Sequence, residues 1–257
     1  MKDIDESKAP LLDHLIELRK RLLISVAALL VSGAVCFYFA DVILGFLVEP
    51  LKKGFGPDQG RLVYTKLYEA FFVQLKVAMF GAFFISFPIT ANQLWAFIAP
   101  GLYSKEKKAL LPFLLATPVL FVAGAAFAYY LVMPTAFHFF LNFQGLTGGI
   151  EMEALPSIDS YLGLVMQFIL AFGISFLLPV LVMLLNRAGI VSRAQLVGAR
   201  RYVIVGAVAV AAVITPPDVI SQIMLAIPLC LLYEFSLIAI WFTERRAARE
   251  KALAQAD

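Results

Sequence analysis

The chain has 257 residues, of which 61% are hydrophobic and only 15% charged, and its mean hydropathy is +0.87. Those values exclude an ordinary soluble domain, in which about a quarter of the residues are charged. The formal net charge of +3 is small, so where the charges fall is more informative than their sum.

The apolar residues cluster in blocks long enough to cross a hydrocarbon core as helix, which takes roughly 20 residues. Six spans are read, near 22–40, 70–93, 110–133, 160–186, 200–215 and 218–242. The fold class is all-α and polytopic. No polar linker interrupts the spans, so residues 1–257 are expected to form a single integral membrane domain. With the N-terminus inside, the cytoplasmic pieces collect most of the Lys and Arg, including Arg19, Lys20, Arg21, Lys105, Lys107, Lys108, Arg187, Arg193, Arg200, Arg201, Arg245 and Arg246. The outer loops hold only Lys52, Lys53, Arg61 and Lys66, and segment 134–159 has acidic residues but no Lys or Arg. This asymmetry predicts that both termini are cytoplasmic. The first span lacks a convincing small-residue cleavage site and is expected to be retained.

In chain order, the first feature is His14-Leu15-Ile16-Glu17-Leu18-Arg19-Lys20-Arg21-Leu22, which places one carboxylate among basic residues. The spacing predicts a short amphipathic helix at a membrane surface, with Leu11, Leu15, Leu18 and Leu22 on one side. Glu17 is positioned either to pair with Arg21 at i,i+4 or to receive a cationic partner. The first outer loop, roughly 41–69, contains Pro50, Gly54, Gly56, Pro57 and Gly60, so repeated turns are expected in place of one long helix. Lys76 lies near the outer end of span two, where a snorkelling side chain and an intramembrane functional role are both open. The loop after span two runs from Trp95 through Pro100 to Lys108, and Glu106 is its one acidic residue, with Lys107 and Lys108 beside it. A carboxylate such as Glu17 or Glu106 accepts bidentate hydrogen bonds from a guanidinium, which makes both candidate acceptors.

Pro134, Gly145, Gly148, Gly149 and Pro156 mark the second outer loop, which with the first is expected to cap the outer mouth of the bundle. Pro88, Pro112, Pro118, Pro179 and Pro228 lie in or beside spans, and each is expected to bend its helix. Cys36 and Cys230 sit within apolar runs and read as packing residues. From Arg200-Arg201 to Asp218 the apolar stretch covers about 21 Å against a core of about 30 Å. The hairpin of spans five and six is therefore expected to be short. Glu234, about 12 Å along span six from its inner end by helical rise, faces the bundle or a partner, or is a hydrogen-bonded structural carboxyl.

No catalytic motif is present: there is no Gly-x-Ser-x-Gly, no His-Glu-x-x-His and no phosphate-binding glycine loop. His14 and His138 fall on opposite sides of the membrane and cannot share a metal. Neither an enzyme nor a nucleic-acid binder is indicated. A proton-coupled small-molecule secondary transporter remains the alternative, although no internal repeat relates 1–133 to 134–257.

Several motifs in the same order resemble the TatC family, the multi-span receptor subunit of the twin-arginine protein translocase. They are the segment from His14 to Leu22, Pro50, Glu69-Ala70-Phe71, the run from Trp95 to Tyr103 with Glu106, Ala126-Phe127-Ala128-Tyr129-Tyr130, Thr215-Pro216-Pro217-Asp218 with Gln222, and Leu225-Ala226-Ile227-Pro228. The resemblance implies a six-span, glove-like fold in the bacterial inner membrane. It implies binding of the twin-arginine signal peptides of folded cargo, with Glu17 and Glu106 as arginine acceptors and Arg19 and Phe97 beside them. Pro50 and Glu69 carry over as residues of structural or functional weight. Thr215, Asp218 and Gln222 match the region where the single-span partners TatA and TatB dock. Self-association in a multimeric complex, contact with membrane lipids, transport driven by the proton gradient and no cofactor are also implied. Two positions depart from the family pattern: Leu177 stands where Glu or Gln is frequent, and Leu67 is near a common proline.

Overall fold

The structure, a computed structural model, describes residues 3–55, 61–102, 111–142, 145–147, 150–152, 155–215 and 219–254. The architecture is all-α. Its helices are α1 (Asp3–Tyr38), α2 (Ala40–Phe55), α3 (Glu69–Leu102), α4 (Leu111–Phe127), α5 (Met133–Leu141), α6 (Ile158–Ser175), α7 (Leu178–Arg187), α8 (Arg193–Gly198), α9 (Arg200–Ile214) and α10 (Val219–Ala254). A short antiparallel hairpin joins β1 (Gly145–Thr147) to β2 (Ile150–Met152), with Leu146 opposite Glu151.

Among the described residues, five stretches are long and apolar enough to cross a membrane: His14–Tyr38, Glu69–Phe97, Phe113–Leu141, Ile158–Arg187 and Val219–Arg245. The fifth expected span, 200–215, is present as α9, whose 15 residues rise about 22 Å and stop short of a full crossing. The expected shortness does not extend to span six. There α10 runs for 36 residues, because after Val219 the apolar sequence continues through Pro228 without a break.

Three further expectations are corrected. The segment around Glu17 is no separate surface helix, since α1 continues through it into the apolar run with no Gly or Pro between Leu11 and Ser32 to stop it. Much of the first outer loop is the helix α2. Ile43, Leu47 and Leu51 recur every four residues on one of its faces, and Pro50 removes only a single interior hydrogen bond. The second outer loop begins later than expected, because the helix after α4 carries on through a π turn at Ala128–Val132 into α5. That turn has a local cause. Pro134 has no N–H and its ring would press on the carbonyl of Tyr130, so the chain widens and the Met133 N–H donates to the carbonyl of Ala128, five residues back.

Prolines do not all interrupt their helices: Pro88, Pro118 and Pro228 lie inside uninterrupted ones. The break between α6 and α7 at Phe176–Leu177 precedes Pro179. After α7 the chain reverses through Gly189, whose φ of 73° is the left-handed geometry that ends helices. Ser192 then caps α8 reciprocally with Gln195.

The chain divides into two compact units, passing from one to the other within α2, α4 and α6. The first comprises Met1–Glu49, Leu62–Pro118 and Pro156–Leu162, and the second Pro50–Arg61, Val119–Leu155 and Gly163–Asp257. In the first, α1 and α3 run antiparallel and pack through small residues. Cys36, Ala78 and Ala82 are buried together, and a Cβ on Gly81 would sit 3.1 Å from the Cys36 sulfur. In the second, Ala128, Val132, Phe172, Ala207, Ala211, Leu225 and Leu229 form one core, and Val182, Leu196, Tyr233, Leu237 and Ile240 another. Cys36 and the partly buried Cys230 are free thiols that pack in these cores.

Candidate functional site

Between His14 and Arg21, α1 carries Glu17, Arg19, Lys20 and Arg21. Glu17 accepts from the guanidinium of Arg21 one turn later, with Nε at 3.0 Å and Nη2 at 2.5 Å from the same carboxylate oxygen. The local pairing allowed by the i,i+4 spacing is thus formed, and both side chains stay partly exposed. Arg19 and Lys20 are exposed and share one face of α1 with Ile16, Leu23, Ile24 and Ala27.

Phe97, near the C-terminal end of α3, stacks on the ring of His14, with centroids 4.3 Å apart and an interplanar angle of 18°. Close by along α3, the Trp95 indole N–H donates to the Thr117 hydroxyl at 2.8 Å, and that hydroxyl donates to the carbonyl of Phe113 at 2.7 Å. Each contact ties an end of a long helix to its neighbour. Glu106 lies outside the described residues.

At the opposite end of α3, Glu69 is 4% exposed and occupies a cage of donors. One carboxylate oxygen accepts from the Thr65 N–H (2.6 Å), the Thr65 hydroxyl (2.9 Å) and the Lys66 N–H (3.0 Å), and the other from the Asp159 N–H at the start of α6 (3.1 Å). A buried carboxylate is tolerable when its lone pairs are filled in this way. Beside it Lys76 forms an ion pair with Asp159, so a specific partner accompanies its position near a helix end. Val63 bridges to Ser157, with the Val63 N–H donating to the Pro156 carbonyl and the Ile158 N–H to the Val63 carbonyl. Pro50 is buried within α2, and the Tyr161 hydroxyl donates to the nearby Leu47 carbonyl at 2.8 Å.

In the second unit, Thr215 is buried at the C-terminus of α9, and its hydroxyl donates to the Ala211 carbonyl at 2.8 Å. The Gln222 side-chain amide donates to the Val208 carbonyl at 3.3 Å and so joins α10 to α9. Asp218 lies outside the described residues. Glu234 pairs with Arg200 of α9 at 2.7 Å, and both side chains stay nearly half exposed. Leu177 caps the break before α7 through backbone bonds alone.

Sequence reasoning did not find His14 as the partner of Phe97, Thr65 and Asp159 as donors to Glu69, or Arg200 as the partner of Glu234. Only Thr65 carried a local signal, a hydroxyl one turn before the acidic residue that opens α3. The other pairs are distant in sequence.

Residues 13–228 match the protein-family profile described as Sec-independent protein translocase protein (TatC). A protein of that description from Magnetococcus marinus is 51% identical over 252 residues, covering 98% of this chain and 91% of that one. The one from Escherichia coli (strain K12) is 40% identical over 238 residues, covering 93% and 89%. Among solved structures, a crystal structure of the twin-arginine translocase receptor TatC in DDM aligns with a TM-score of 0.77 at 40% identity, covering 88% of this chain and 98% of that one.

Proposed function

The chain belongs to the TatC family of Sec-independent protein translocase components, and from that membership we propose that it is the receptor and core of a twin-arginine translocase. It binds the paired arginines of signal peptides on folded cargo at the N-terminal end of α1, with Glu17 and Glu106 as acceptors and Arg19 and Phe97 flanking them. The single observation that carries this reading is the Glu17 carboxylate already holding a guanidinium through two N–H groups. The same acceptor geometry suits an arginine from a peptide. Arg21 is a replaceable occupant, because an exposed i,i+4 pair is worth only about 0.3–0.5 kcal/mol.

On this reading the chain is a multi-pass protein of the bacterial inner membrane. It has six spans, counting the short α9, and both termini are cytoplasmic. TatA and TatB dock near Thr215, Asp218 and Gln222, where Thr215 and Gln222 shape the α9–α10 hairpin and the exposed residues of α9 meet the partner. Copies of the chain assemble into one receptor complex, and the proton gradient supplies the energy. No cofactor takes part, and no chemical step falls to the chain itself.

The experiment is binding of an Arg-Arg signal peptide to the purified full chain and to Glu17→Ala and Glu106→Ala variants. Each substitution removes charge-assisted hydrogen bonds and is expected to cost on the order of 1–3 kcal/mol of affinity. Unchanged affinity in both folded variants would rule out these acceptors.

A further inference from the structure

The segment between the Val63 bridge and the first turn of α3 has two unlike sides. Its inner side is polar and fixed: the Glu69 cage holds the backbone of Thr65 and Lys66, and the Val63 bridge holds its start. Its outer side is apolar. Leu67 is fully exposed, and Tyr64, Tyr68 and Phe71 are each more than half exposed. A loose apolar loop in water would fold such side chains under, whereas this one is braced so that they stay out. A braced, contiguous apolar surface marks an interaction site.

Its position says what covers it. Phe71, Leu75 and Met79 are exposed at every fourth residue along α3, so the crest continues without a gap into one face of a stretch able to cross a membrane. Its composition also changes along that line, from hydrocarbon-like residues on α3 to tyrosines and an exposed Lys66 whose ammonium lies 6.0 Å from the Tyr68 ring. Tyrosines and cations in that order match the polar layer of a bilayer, where phenolic rings sit at headgroup level and cations meet phosphates.

We infer that segment 62–68 is a membrane-interface anchor, with Leu67 inserted as a wedge into the leaflet at the Glu69 end of α3 and Lys66 paired with a lipid phosphate. Glu69 is the brace that keeps the wedge extended. The inference requires only that α3 spans a bilayer and does not depend on what the chain binds.

The test places a nitroxide on Leu67→Cys in a Cys36→Ala, Cys230→Ala background of the full chain, in vesicles of phosphatidylcholine and phosphatidylglycerol. Relative accessibility to oxygen and to a water-soluble nickel chelate gives the depth of the label. It should lie about 5–10 Å below the phosphates, and more shallowly when Glu69→Gln or Glu69→Ala is added. A label as open to the nickel reagent as one on Arg61→Cys in the same vesicles would overturn the wedge. Protection that vanishes as the protein is diluted in lipid would overturn it in favour of a second copy, and depth unchanged in both folded Glu69 variants would overturn the bracing role.

Discussion

Glu17 and Arg21 have side chains 35% and 23% exposed, so solvent screens their attraction and the pair holds Glu17 only weakly. If Arg21 is a displaceable occupant, removing it frees the acceptor. Arg21→Ala is therefore expected to bind an Arg-Arg peptide about twofold more tightly than the wild type, the equivalent of one exposed pair. A calorimetric titration checks this, and a loss as large as that of Glu17→Ala would mean that Arg21 belongs to the peptide site itself. The Glu17–Arg21 pair was legible in the sequence because it is local and follows the helix period. Glu69 shows the opposite case, since a buried carboxylate needs donors from wherever the fold supplies them, and Asp159 is 90 residues away. The His14–Phe97 stack and the Arg200–Glu234 pair escaped for the same reason.

Helices in this chain outlast their expected ends. Glycine and proline read as stop signals in water, where a released backbone group finds a solvent partner. In hydrocarbon it does not, so the helix persists through a proline and adjusts locally, as at the π turn before Pro134. The order of the apolar blocks was legible because it depends on composition alone, but the continuation of the helix through Pro134 into α5 depends on this difference in solvent. Small residues set how closely neighbouring helices pack. A Cβ on Gly173 of α6 would lie 2.7 Å from the fully buried ring of Phe121, while one on Gly163 of the same helix meets nothing within 4 Å. Gly173→Ala is thus expected to lower stability by about 1–3 kcal/mol through overpacking. Gly163→Ala is expected to be neutral or slightly stabilising. Thermal unfolding of both variants in detergent checks the contrast, and equal midpoints would contradict the packing described for α6.

For the whole molecule, family membership turns separate features into one expected task. An all-α chain with five long apolar stretches among its described residues and one short α9 belongs to a family of translocase components. Recognition of a pair of arginines through carboxylates is the task proposed for this chain, and the guanidinium held by Glu17 is its physical basis. A guanidinium presents a planar fork to a carboxylate, whereas an ammonium is a compact point charge that cannot make the same paired contact. The most direct measurement is the affinity of the purified full chain for one signal peptide carrying Arg-Arg and for the same peptide carrying Lys-Lys. The Arg-Arg peptide is expected to bind more tightly by on the order of 1–3 kcal/mol. Equal affinity for the two peptides would contradict it.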